Sequence, residues 1–508
     1  MGRSVSKTRW LRMLAVVTAL VAVAVGIGIL ALNKYFAPLL RKQAIAMLSD
    51  RFSSEVEIED FHASLFQLQV WGGGVVFRHH GRRDVPPLFT IGKFFGDVDL
   101  LDVFGLKWRI RKVKLDGLII HVPPRDKRQF GNTKIRGHEI PAAVDELICD
   151  NAQLVLIPSN PGKEPHVFEI HHLIMNEVGL GRAARFQTTL TNPTPPGEIH
   201  AVGQFGPWQK DQPSTTPVKA SYSFANADLG VFKGISGILS SSGEFGGPLD
   251  ELDVKGQTTT PDFEVMIGGH KMALTTDFHA TVDGSNGDTL LHPVVAKFLN
   301  STLTANGGIV KSPKGKGKVI QLEVEAVAAR LEDILALAVK AAKPPMTGVI
   351  NLKTKFVLLP GKGDISERLA LDGRFAIDRG RFTETKVDAK IRNLSRRAQG
   401  KLDEEGAGSD VTKLSGVFTL DDGIVRFREL TFEVEGAKVE LHGTFVLTSE
   451  TFNMHGKAHL QAKLSQMTTG VKSLVLKAVD PFFRKDGETQ LPIKVTGTRE
   501  HPSFGLDL

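Results

Sequence analysis

Apolar and polar residues alternate along much of this chain. The clearest run is ELTFEVEGAKVELHGTFVL. In it Leu430, Phe432 and Val434 alternate with Thr431, Glu433 and Glu435. Beyond Gly436, Val439, Leu441, Phe445 and Leu447 alternate with Glu440, His442 and Thr444. A period of two sends one set of side chains to an apolar face and the other to water, so the run predicts two strands around a Gly turn. Short runs opening on glycine recur at 237, 348, 373, 416 and 443, each with Ile, Leu or Phe as third residue. They predict strands that begin where the chain turns sharply. Their spacing is irregular, so the repeat is degenerate and gives no fixed-period solenoid.

Elsewhere the spacing changes to three and four. Residues 34–52 predict a helix with an apolar stripe of Phe36, Leu40, Ala44, Met47 and Leu48. ARLEDILALAVKAAKPP predicts a second, with Leu331, Ile334, Leu335, Ala338 and Val339 on one face and Pro344 as its stop. TTGVKSLVLKAVDPFF predicts a third, carrying Val471, Leu474, Val475, Ala478, Val479, Phe482 and Phe483. ADLGVFKGI and LHPVVAKFLN read as shorter helical turns. The polar stretch 125–146 reads as a loop. The Pro-, Gly- and Thr-rich stretch 192–217 reads as a boundary holding one strand around Ile199.

MLAVVTALVAVAVGIGILAL, residues 13–32, is apolar and uncharged throughout. At 1.5 Å per residue its 20 residues span about 30 Å, the hydrocarbon thickness of a bilayer. Arg3, Lys7, Arg9 and Arg12 precede it, which keeps the N-terminus cytoplasmic and sends the body across the membrane. The stretch exceeds a signal-peptide core and no A-x-A site closes it, so the expectation is an uncleaved single-pass anchor.

Composition narrows the function. The chain has 508 residues, 41% of them hydrophobic, enough for a large folded body. The net charge of +7 is spread along the chain without a sharp basic patch or aromatic platforms, and no nucleic acid is expected as a partner. Cys149 is the single cysteine, so no disulfide forms within the chain, and it reads as a small buried residue. No H-E-x-x-H or G-x-S-x-G occurs. On a strand the rings of the doublets His79-His80 and His171-His172 would point to opposite faces, away from a shared metal, and they read as surface or turn histidines. GLGRAA (179–184) is followed by strand-like residues rather than a helix, and reads as a loop. KSPKGKGK (311–318) fails the phosphate-loop pattern and reads as a basic hairpin tip. No catalytic residue, cofactor or metal site is expected, and the chain is not expected to be an enzyme. Lys107, Arg109, Arg111, Lys112 and Lys114 form one basic cluster. It reads either as the charged face of a strand pair or as a contact for anionic lipid headgroups near the anchor.

Taken together, the anchor with LLRKQAIAMLSDRFSSEVEIEDFHASLFQLQVWGGGVVF, then FGLKWRIRKVKLDGLIIHV, LTNPTPPGEIHAVGQFGPW, ADLGVFKGISGILSSSGEFGGPLDELDVKGQT, GVFTLDDGIVRFRELTFEVEGAKVELHGTF and LPIKVTGTREHPSFGLDL, the chain resembles the AsmA family, relatives of TamB, of envelopes with outer membranes. The resemblance covers nearly the whole chain through soft motifs of glycine and alternating apolar positions. It implies a mainly β fold with a few short helices: a single N-terminal transmembrane helix followed by an elongated, curved, groove-like β-sheet body. The expected divisions are a cytoplasmic arm (1–12), the transmembrane helix (13–32), an N-terminal AsmA-like β domain (33–195) and an AsmA-like C-terminal β region with short helices (196–508). It also implies inner-membrane location with a periplasmic body, and a role in moving phospholipid during outer-membrane assembly. An apolar face without chemistry suits that role, since acyl chains need only a continuous greasy surface. Leu430, Phe432, Val434, Val439, Leu441, Phe445 and Leu447 are the candidate groove residues, with phospholipid acyl chains as partners and an outer-membrane or periplasmic protein at the far side. The alternative is an assembly factor for outer-membrane proteins that moves no lipid, because a packed sandwich shows the same alternation.

Overall fold

The computed structural model describes Val23 and residues 37–64, 67–98, 108–123, 142–158, 164–179, 181–209, 212–284, 286–312, 317–361, 363–401, 411–467, 480–485, 487–499 and 501–507. The fold is mainly β, with twenty-five strands and a few short helices among the described residues. Apart from Val23, the expected span 13–32 lies outside them. No described helix is long and apolar enough to cross a membrane. The chain forms two compact units, Met1–Pro193 with Glu198–Tyr222 and Gly246–Asp250, and Thr194–Gly197 with Ser223–Phe245 and Glu251–Leu508.

The first unit opens with a helix over residues 37–52 that lies on the strands following it. β1 (Ser54–Ser64), β2 (Gln69–His79), β3 (Phe89–Val98) and β4 (Trp108–Val122) form an antiparallel sheet. Ile45, Leu48 and Phe52 of the helix pack on Val56, Ile58, Val75 and Phe77. The Phe52 ring sits edge-on to Phe77 and Phe89 at 5.4 and 5.6 Å. Leu40 and Leu48 of the expected stripe are buried and half-buried, and Ile45 and Phe52 join Leu48 on the strands; Phe36 lies outside the described residues.

β5 (Ala142–Leu156), β6 (His166–Val178) and β7 (Ala184–Pro193) continue the sheet. The expected loop 125–146 is corrected at its end, because β5 begins at Ala142. It runs parallel to β4, and Glu146 meets Lys112 across that ladder at 2.7 Å. Strand propensity in DELICD was hidden by its acids, which the neighbouring basic strand matches. Cys149, fully buried, packs with Ala152 and Ile170, as expected of it. GLGRAA falls between β6 and β7.

In the second unit β10 (Ile235–Ser236) pairs with the end of β12 (Leu252–Val265). From β12 the ladder is antiparallel and sequential through β13 (His270–Val282), β14 (Thr289–Phe298), β15 (Ser301–Lys311), β16 (Lys318–Arg330) and β17 (Met346–Leu358). It goes on through β18 (Leu369–Phe382), β19 (Val411–Asp421), β20 (Ile424–Val434), β21 (Ala437–Val446) and β22 (Thr451–Leu460). β24 (Glu488–Thr498) and β25 (Pro502–Leu506) complete it. Among the described residues no pairing returns β25 to β12, so this sheet is open.

Bulges at Thr260/Phe263, Asp277/Ala280, Leu291/Val294 and Ala326/Ala329 bend its strands. The turn before β10 lies against the segment after β17, where Ile365 N donates to Lys233 O at 3.2 Å. Gly234, at φ +101°, makes that approach feasible; a Cβ there would lie 3.0 Å from Asp364 Oδ1.

Two expected helical turns separate here. ADLGVFKGI holds a 3-10 turn at Leu229–Val231, whereas LHPVVAKFLN is strand β14. Its Pro293 falls in the β14 bulge, outside the ladder, which removes the conflict between proline and a strand. The recurring glycines also depart from expectation: 373, 416 and 443 lie inside strands. Their reason is close approach. A Cβ on Gly416 would sit 2.9 Å from the Phe375 ring, and one on Gly443, at φ +145°, 2.2 Å from Asn453 O.

The helix expected in ARLEDILALAVKAAKPP forms over Leu331–Ala338, with Leu331 buried and Ile334 and Leu335 packed beside it; it stops short of Pro344, leaving Ala338 exposed and Val339 extended past its end. A helix the pattern did not reveal, Thr385–Gln399, presents Ile391, Leu394 and Ala398 to the same core. Of the expected third helix, 468–479 lies outside the described residues, and Asp480–Phe483 is helical.

Candidate functional site: one face of the second sheet

Register decides which side chains share a face, and in the second unit it lines apolar residues up across strand after strand. One row passes through directly paired residues Val254, Ala280, Leu291, Gly307, Leu322, Phe356, Leu371, Leu420, Val425, Phe445 and Phe452. It crosses eleven strands, from β12 to β22, a path of about 48 Å at the usual strand spacing. A second row on the same face runs Thr354, Gly373, Phe418, Phe427, Gly443, Met454, Val495 and Phe504. A third runs Leu352, Phe375, Gly416, Leu430, Leu441, Gly456, Ile493 and Leu506. The opposite face is polar at the matching positions: Asn306, Glu323, Lys355, Asp372, Thr419, Arg426, Thr444, Asn453 and Thr496. There Arg428 Nη2 reaches Asp372 Oδ1 at 2.7 Å, and the exposed Lys438 holds the Glu440 carboxyl below its usual range through a 2.7 Å contact.

The apolar face has two zones. At one end of the strands the helices cover it. Ala398 is fully buried against the hairpin tip, where Ser395 Oγ donates to Glu435 O at 2.8 Å. Val434, Ala437, Val439, Ala458 and Leu460 belong to this packed core. Toward the other end, Leu291, Leu322, Phe356, Leu371, Val425, Phe445 and Phe452 are only half-buried, while Ala280 and Leu420 of the same row are buried. Phe504 and Leu506, on the last strand, are 56% and 46% exposed.

The seven groove candidates divide between the zones. Val434 and Val439 are sealed in the core, Phe432 and Leu441 pack at its margin, and Leu430, Phe445 and Leu447 lie half-buried. The pairings Leu430 with Leu441 and Phe432 with Val439 follow from the alternation. The row through Leu322, Phe356 and Leu371 was missed, since its residues meet only through register between distant segments; their glycine-flanked runs were the one available signal.

Of the basic cluster, Lys112 and Lys114 share a face of β4, with Lys112 paired to Glu146, while Arg111 falls at a bulge. Lys107 and the Arg109 side chain lie outside the described residues. His80 is a turn histidine at φ +49°, past the strand end at His79; the separation expected of the two rings is corrected, since they lie 4.2 Å apart. His171 and His172 do diverge, to Thr191 and Asp150. No group of three or more His, Cys, Asp or Glu is arranged for a metal among the described residues.

No protein-family model, curated protein or solved structure matches the chain. The resemblance to the AsmA family therefore rests on the stretches quoted above.

Proposed function

We propose that this chain binds phospholipid acyl chains on the half-buried apolar rows of the second unit and moves phospholipid between the membranes of a cell envelope. The observation that carries the reading is the row from Val254 to Phe452, greasy on one face and backed by charged residues on the other. Side chains of this size left half in water are costly in a protein alone, and each methylene laid on them stabilises by about 0.8 kcal/mol. A regular row without a polar anchor holds tails of any length and permits sliding. In this reading residues 13–32 anchor the chain in the inner membrane, the body lies in the periplasm, and no bond is made or broken.

A photo-crosslinking amino acid at Phe356, with Glu323 on the opposite face as control, tests the reading in cells. Lipid adducts at 356 and none at 323 are expected. Adducts to protein at 356, without lipid, favour the assembly-factor alternative.

A further inference from the structure

Four segments meet at one end of strands β10 and β12 to β17. They are the turn 229–234, the hairpin tip 266–269, the tip 299–300 and the helix Leu331–Ala338 with the residues after it. Met266 N donates to Gly234 O at 2.9 Å, and Asn300 N donates to the buried Asp333 Oδ2 at 3.0 Å. Gly268 lies so near the helix end that a Cβ would sit 2.5 Å from Ala336 O. Each tip thrusts a large apolar side chain into water: Val231 is 48% exposed, Phe232 36%, Met266 53% and Leu299 57%. Leu299 does so at φ +49°, a left-handed conformation that leucine rarely adopts. Strain and exposure on one residue point to a use outside the fold.

Four lysines, Lys233, Lys271, Lys340 and Lys343, are exposed around these tips. The acids nearby are engaged: Asp333 is buried, Glu332 lies 2.7 Å from Arg330, Asp228 accepts from Gly230 N, Glu264 faces Lys271 across the ladder and accepts from Ser236 Oγ, and Asp364, beside Lys233, accepts from Ser366 N and Oγ. Exposed apolar tips ringed by lysines match the layering of an anionic membrane surface, greasy below and negative at the headgroups. We propose that this rim docks on an anionic lipid surface, with Val231, Phe232, Met266 and Leu299 entering the interface and the four lysines meeting the headgroups. The docking is separate from the apolar rows and does not depend on their carrying lipid.

The test uses the full chain held by its N-terminal apolar stretch in a neutral nanodisc. An environment-sensitive fluorophore is attached at F232C, M266C or L299C in turn; Cys149 is buried and stays unlabelled. Phosphatidylcholine vesicles with or without phosphatidylglycerol are then added. The expected result is a blue shift, with quenching by lipid-borne quenchers, for the anionic vesicles alone, weakening as salt rises. Replacing the four lysines by Glu should lower vesicle affinity at least ~100-fold. Silent reporters, an equal response to neutral vesicles, or a response only to added envelope protein would overturn the proposal.

Discussion

Placing a carboxylate at Phe356 separates an open lipid-bearing face from a merely apolar one. The ring lies between Leu322 and Leu371 in the row and is half-buried. A tail laid across it would contact about four methylenes, worth about 3 kcal/mol at about 0.8 kcal/mol each. An aspartate removes that contact and keeps water at the site, so captured lipid should fall roughly 100-fold, at about 1.4 kcal/mol per tenfold. The fold should lose much less, because the new carboxylate stays hydrated. The assay is lipid extraction and quantitation from chain purified in mild detergent, with urea unfolding as a control. Val439→Asp is the opposite case: it charges the packed core and should unfold this end of the unit, since an unpaired buried charge is costly. If Phe356→Asp, Leu371→Asp and Phe445→Asp all fold and all keep wild-type lipid, the reasoning about the face is wrong.

Other outcomes follow from single sites. Phe52→Ala removes the ring that joins the 37–52 helix to Phe77 and Phe89, and should cost about 3–5 kcal/mol in urea unfolding. Asp333→Ala strands the Asn300 amide and the Ser301 hydroxyl, donors at 3.0 and 2.7 Å, and should cost about 3 kcal/mol, with Asp333→Asn recovering part of it. Burial pushes the Cys149 thiol up to about 12. The fold then favours the neutral thiol, so this stabilisation is present below the ordinary thiol range and is lost as pH rises from there toward about 12. Alkylation at pH 8 should be slow in the native chain and fast in denaturant, and equal rates would contradict that burial.

How much of this was readable in the chain varies with the distance over which each element is decided. The β20–β21 hairpin was plain, because strict alternation and the turn at Gly436 are both local. The helix Leu331–Ala338 was plain for the same reason. The helix Thr385–Gln399 was not, since its stripe of Ile391, Leu394 and Ala398 is thin among charged residues and gains its stability from the sheet beneath. The strand β14 was hidden by Pro293, which is harmless only because a bulge takes it out of the ladder. The parallel pairing of β4 with β5 was beyond local pattern altogether. The same limit applied to the candidate face. Alternation identified greasy positions on each strand, but only register shows that Leu322, Phe356 and Leu371 form one row, and only the helices decide that Val434 and Val439 are sealed away from it.

Native mass spectrometry of the full chain, extracted from its own membranes in mild detergent, addresses the central claim most directly. The account predicts added masses of phospholipids with mixed tail lengths, lost in Phe356→Asp and kept in Glu323→Gln on the opposite face. A chain that carries no lipid, or that carries the same lipid when the apolar rows are charged, would contradict it.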